Sequence, residues 1–155
     1  MTMTLSDATP HNYITDRLDR ATAGPLVTVN SLEFAIGPEV TPAEVVQRAT
    51  EVVSLSLPSL LEDLPDTGPT CADVLAVLTE LVDVTARHQA GIDLVGKVAY
   101  DGAHVTVSVG DMARQLPPPE EEPGLYLVHR IAVDIGQYIG DNGGRVTWAA
   151  IEARR

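Results

Sequence analysis

The sequence predicts an α+β fold: a two-layer α/β sandwich with a mostly antiparallel sheet and its helices gathered on one face. Three observations predict it. Residues 92–109 hold two alternating runs joined by Asp101-Gly102, the best short hairpin signal in the chain. Residues 70–89 carry apolar side chains at helical spacing. The elements also follow the order strand, helix, helix, hairpin, helix, two strands, which gives most strands an antiparallel neighbour.

The first regular element starts at Ser31. Leu32, Phe34 and Ile36 alternate with Ser31, Glu33 and Ala35, a half-buried strand closed by Gly37-Pro38. Thr41-Pro42-Ala43-Glu44 is a capping box with proline in the first turn, where its missing donor costs nothing. The helix it opens puts Val45, Ala49, Val52 and Val53 on one face and is expected to end near Ser56, before Pro58. A second box, Thr70-Cys71-Ala72-Asp73, is expected to open the strongest helix. Its stripe is Val74, Leu75, Leu78, Leu81, Val82 and Thr85, widened by Val77 and Val84, and it should end near Gln89.

In the hairpin, Ile92, Leu94, Val98 and Tyr100 share one side, interrupted by Gly96. Val105, Val107 and Val109 face inward, and His104, Thr106 and Ser108 face away. Three prolines and three glutamates at 117–122 predict a stiff, solvated loop. A third helix is expected over Leu125–Asp134, stopped by Gly136. Gln137–Ile139 and Arg145–Ala153 read as strands about an Asn142-Gly143-Gly144 turn. Residues 1–30, rich in Thr, Asp and Ala, read as a flexible tail with at most a short helix near Tyr13–Ala21, so the domain is 31–155.

Composition narrows the function. The chain has 155 residues, 10 Lys+Arg against 22 Asp+Glu, and a formal charge of -12, with Lys97 the only lysine. That field opposes general binding to nucleic acid or anionic membrane, which need clustered cations. Cys71 stands alone, so neither an intramolecular disulfide nor a thiolate zinc site is expected. No apolar run approaches the roughly 20 residues that span a bilayer, and the N-terminus lacks a signal-peptide core. The expectation is a soluble, cytoplasmic domain.

Three segments carry a family resemblance. Glu80-Leu-Val-Asp-Val-Thr-Ala-Arg-His88 resembles the helix box Glu-Leu-Val-Thr-Asn-Ala-Val-Arg-His of GHKL ATPases, in the form used by bacterial anti-sigma-factor serine kinases. Val107 to Pro117 resembles the strand and loop around that family's Asp-x-Gly-x-Gly-Leu-Pro. Gly124-Leu125-Tyr126-Leu127 resembles the Gly-Leu-Gly-Leu turn that opens its last helix. The resemblance covers residues 31–153 and implies a GHKL (histidine kinase-like ATPase) fold. It also implies roles. Asp111 would accept a hydrogen bond from the adenine amino group, Gly124 would be the first turn glycine, and Glu80 would be the general base of an active kinase.

The departures fall on positions with physical jobs. The magnesium-binding asparagine is Val84, which has no oxygen to offer a cation that wants octahedral oxygen ligands. Asp83 is adjacent but turned by about 100° around the helix. The two loop glycines are Ala113 and Gln115, and Gln115 is expected to intrude on the base or phosphates. The second turn glycine is Tyr126, a bulky ring where phosphate would meet a helix N-terminus. Three glutamates at 120–122 would repel a triphosphate.

Other chemistry is thin. His11, His88, His104 and His129 never pair at i, i+4, so no helical metal site is expected. His88 suits a helix C-terminus. Cys71 at a helix start reads as a packing residue, Ser54, Ser56 and Ser59 lack a nucleophile elbow, and Gly143-Gly144 precedes a strand rather than a helix.

The expected function is therefore a non-catalytic regulatory protein with a degenerate ATP site. It would act by binding a protein, which the resemblance implies to be a sigma factor or an anti-sigma-factor antagonist. No catalytic residue, resident cofactor or metal is expected. One alternative is a diverged ATP- and magnesium-dependent serine kinase using Glu80 and Asp111. Another is an unrelated binding or structural module on the same fold. A homodimer through the Leu32–Phe34–Ile36 strand is a further expectation.

Overall fold

Alternating apolar residues build the sheet, and the computed structural model, which describes residues 30–38, 41–91 and 93–154, shows where each strand lies. The order is β1 (Asn30–Ile36), α1 (Pro42–Leu60), α2 (Gly68–Arg87), β2 (Leu94–Tyr100), β3 (His104–Met112), α3 (Gly124–Ile131), β4 (Asp134–Ile139) and β5 (Arg145–Glu152). The five strands form one antiparallel sheet in the order β1-β2-β3-β5-β4. It is a small α+β domain. The tail at 1–29 and Ile92 lie outside the described residues.

The core lies between one sheet face and the helices. Phe34, Ile36, Leu94, Val98, Tyr100, Val105, Val107, Val109, Ala149 and Ile151 meet Val53, Leu57, Val74, Leu78, Leu81 and Val82. The inward set expected of β3 is buried, as are Leu94, Val98 and Tyr100 of β2. Gly96 interrupts that run because Phe34, its partner across the β1–β2 ladder, lays its ring over the position a Cβ would take. The hairpin turns at Asp101-Gly102. Gly102 takes φ +96, and the Asp101 carboxylate accepts the amides of Ala103 and His104.

Helix α1 starts on the expected box. Glu44 N–H donates to Thr41 Oγ1 at 3.2 Å and Thr41 N–H to Glu44 Oε1 at 2.9 Å, which holds the Glu44 carboxyl below its usual range. Its end differs from expectation. The helix runs through Pro58 to Leu60, because Leu57, Leu60 and Leu61 are all buried and packing outweighs one lost backbone bond. Val52 sits outside the stripe, 43% exposed.

Helix α2 corrects the second box. It begins at Gly68, where Asp66 accepts the Gly68 amide and Pro69 lies in the first turn. Thr70 is therefore already helical and buried. Its Oγ1 accepts the Arg154 amide at 3.0 Å, and Asp73 pairs with the Arg154 guanidinium at 2.7 Å. The expected cap thus clamps the C-terminal segment instead. The helix ends at Arg87, and Gln89 bridges to Met112.

The expected third helix is shorter. α3 stops at Ile131, Ala132 turns extended, and the residues from Asp134 pair with β5. Gly136 is a strand residue beneath Trp148, whose Cζ2 would stand 2.8 Å from a Cβ there. Sheet pairing overrides the helical period in this stretch. Among the described residues no helix is long and apolar enough to cross a membrane.

Candidate functional site

Two of the residues that the sequence singles out, Glu80 and Gly124, meet where α2 faces the 113–123 loop and the start of α3. Local chemistry explains the loop's path. Leu116 N–H donates to Gln137 Oε1 at 2.9 Å, and Gln137 Nε2 donates to Thr147 Oγ1 at 3.0 Å, so a strand side chain ties down the loop's first half. Pro117 is buried beyond it.

The second half is tied by charge. Arg87 donates to Asp83 Oδ2 at 3.0 Å and to Glu122 Oε2 at 3.0 Å, and His88 Nε2 lies 3.4 Å from the same Glu122 oxygen. Glu122 has only 16% of its side chain exposed, so the triple-glutamate loop is not uniformly solvated: its third member is drawn onto the end of α2. The Arg87 guanidinium, with His88, holds the Glu122 carboxyl below its ordinary range. Glu122 and Asp83 in turn push the Arg87 pKa up.

Glu80 lies one turn before Val84, and its carboxylate rests against Gly124 at the first residue of α3, where a Cβ would collide with it. Burial, then the nearby Asp83 charge, raises its pKa. Val84 is 2% exposed and belongs to the buried apolar surface. The arrangement is a seam filled by the chain's own carboxylates.

The other expected site residues have different surroundings. A register shift between Val109 and Met112 bulges β3. Met112 stays buried, touching Thr147 and Gln137, while Asp111 faces the turn after β4, against Gly140 and Gly144. Asp111 and Asp141 add to burial in raising the Tyr138 pKa to about 12. Thus Glu80 and Gly124 are brought together, and Asp111 has other neighbours. Gln115 and Ala113 are exposed, so Gln115 fills no pocket, and Tyr126 is 52% exposed on the outer side of α3. Burial raises the Cys71 thiol. Among the described residues no group of three or more His, Cys, Asp or Glu side chains gathers as a metal site.

Sequence reading missed the Glu122 contact with Arg87 and His88. The i, i+4 spacing of Asp83 and Arg87 was its one local signal. The fold and this seam define a small α+β domain with an internally occupied helix–loop junction. No protein-family model matches the chain, and no curated protein sequence matches it.

Proposed function

We propose that the chain is a non-catalytic regulatory protein on a GHKL-like fold, acting by protein–protein binding with its ATP site degenerate. Support for the fold reading is the element order, strand, two helices, hairpin, helix, two strands, which agrees with the order the resemblance implies. The observation that carries the functional reading is the filled seam. Glu80 occupies the approach to Gly124, Glu122 occupies Arg87 and His88, and Val84 offers no ligand to a cation. A triphosphate entering there would displace Glu122 from Arg87 and His88, would meet the Glu80 carboxylate over Gly124, and would find no replacement for the metal ligand.

The partner in this reading is a sigma factor or a small anti-sigma-factor antagonist, recognised on the exterior, with the acidic surface favouring a partner of basic or mixed charge. A homodimer, if formed through β1, would use the backbone edge of that strand, which pairs with no other strand among the described residues, because Phe34 and Ile36 are buried in the chain's own core.

Calorimetric titration with ATP and Mg²⁺ tests the reading. No saturable heat is expected up to millimolar nucleotide, and a dissociation constant in the low micromolar range would overturn it. Capture from the native cell should return the same sigma factor or antagonist for the wild type and for the combined Val84→Asn, Gln115→Gly and Tyr126→Gly variant.

A further inference from the structure

At the end of the sheet away from the 101–103 turn, three strands place one residue each in a row. Arg145 of β5 stands opposite Met112 of β3 on one side and Ile139 of β4 on the other. Partners in an antiparallel ladder share a face, so the three side chains lie together. The Asn142-Gly143-Gly144 turn closes one side of the row. Ala90 closes another, held by its amide on the Asp111 carbonyl at 2.9 Å, with Ala113 beside it. The result is a cleft of about 400 Å³, a size that accommodates a small molecule.

The chemistry of the lining is uneven. Ile139, Ala90 and Ala113 expose apolar surface beside the buried Met112, Asn142 supplies an amide, and among the described residues Arg145 is the only charged one that lines it. The ion pairs among the described residues engage Arg87, Arg114 and Arg154, and Arg145 has no carboxylate partner among them. In a chain with 22 acidic residues against 10 basic ones, a cation left unpaired beside apolar side chains in a concavity is notable. A guanidinium in such a setting binds a carboxylate strongly, because the bond is charge-assisted and the surroundings are partly desolvated.

Two acids limit the ligand. Asp111 lies behind Gly144, where a Cβ would come within 2.8 Å of its Cγ, and Asp141 precedes the turn. Their charges oppose a polyanion and tolerate a single negative charge. We infer that this cleft binds a small organic monocarboxylate, with its apolar body against Ile139 and its carboxylate on Arg145. The cleft shares no lining residue with the Glu80–Glu122 seam, but Ala113 and the adjoining Asp111 are positions that the resemblance places at the nucleotide, so the inference bears on the same region of the proposed degenerate site.

The test is titration of the ¹⁵N-labelled full chain with sodium benzoate, read by amide chemical shifts. Saturable shifts are expected at Gly143, Gly144 and Arg145. Affinity should fall by about tenfold for Arg145→Gln, and by a similar factor when neutral benzyl alcohol replaces benzoate on the wild type. Arg145→Lys should keep an intermediate affinity. The absence of saturable shifts at these three amides would overturn the inference. So would equal affinity for benzyl alcohol, which is measured on the wild type and does not depend on any variant folding.

Discussion

The carboxylate of Glu80 lies over Gly124 across the junction of α2 and α3, where a Cβ would have to displace it. A phosphate cradle would need the same glycine for a different reason. The two explanations separate experimentally. Gly124→Ala should destabilise the fold by no more than about 1 kcal/mol, because the methyl has to push aside only the far end of the flexible Glu80 side chain. In a Glu80→Ala background the same change should be neutral or stabilising by up to about 1 kcal/mol, since alanine is the better helix former. A double-mutant cycle in urea reads the coupling; additive effects would show that the contact carries no energy.

The Glu122 strap has a definite pH sign. A carboxyl whose folded pKa lies below its unfolded value stabilises the fold above the unfolded value, and loses that contribution as pH falls through the folded one. The strap is therefore expected to hold at neutral pH and to release only in acid, below the ordinary glutamate value of about 4.3. Glu122→Gln should release it at pH 7, lowering amide protection in residues 118–126 about threefold to tenfold with little change in α2. Hydrogen exchange by mass spectrometry checks this. Unchanged protection would mean that Gln137 and buried Pro117 hold the loop alone.

On the proposed GHKL-like reading, placing asparagine at position 84 should not create a metal site. Val84 is packed in the core, so Val84→Asn buries an amide with no partner in place and should cost about 2–3 kcal/mol. Thermal melting with and without ATP·Mg²⁺ gives both readings at once. A lower Tm that nucleotide leaves unchanged is expected; a nucleotide-dependent rise would point to a latent site.

Where local pattern and packing agree, the sequence was legible. Val105, Val107 and Val109 could be assigned to the core by alternation, and Asp101-Gly102 to the turn by backbone preference, because both depend on neighbours in the chain. The errors came where distant residues decided. Thr70 and Asp73 look like a cap until Arg154, 84 and 81 residues away, takes both side chains. Glu122 looks solvated until Arg87, 35 residues away, is brought beside it. Residues 132–136 keep a helical period, yet β5 offers them a strand partner. The Arg145 cleft had no sequence signal, since its row exists only once β3, β5 and β4 are in register.

Pro58 offers a separate test of how packing overrode a local rule. It lies exposed in the last turn of α1, cannot donate to the carbonyl of Ser54, and is followed by Leu60, Leu61 and Leu64, all buried. If the helix continues only because those leucines pull it inward, Pro58→Ala restores one backbone bond and removes a steric conflict without disturbing the core. The gain is partly offset by about 0.4–1 kcal/mol, because proline also restricts the unfolded chain. The net expectation is a stabilisation of about 1–2 kcal/mol, seen as a Tm increase of about 2–6 °C. A decrease would instead show that the proline bends the helix end to aim Leu60 and Leu61 at the core, which would make it part of how α1 meets the sheet.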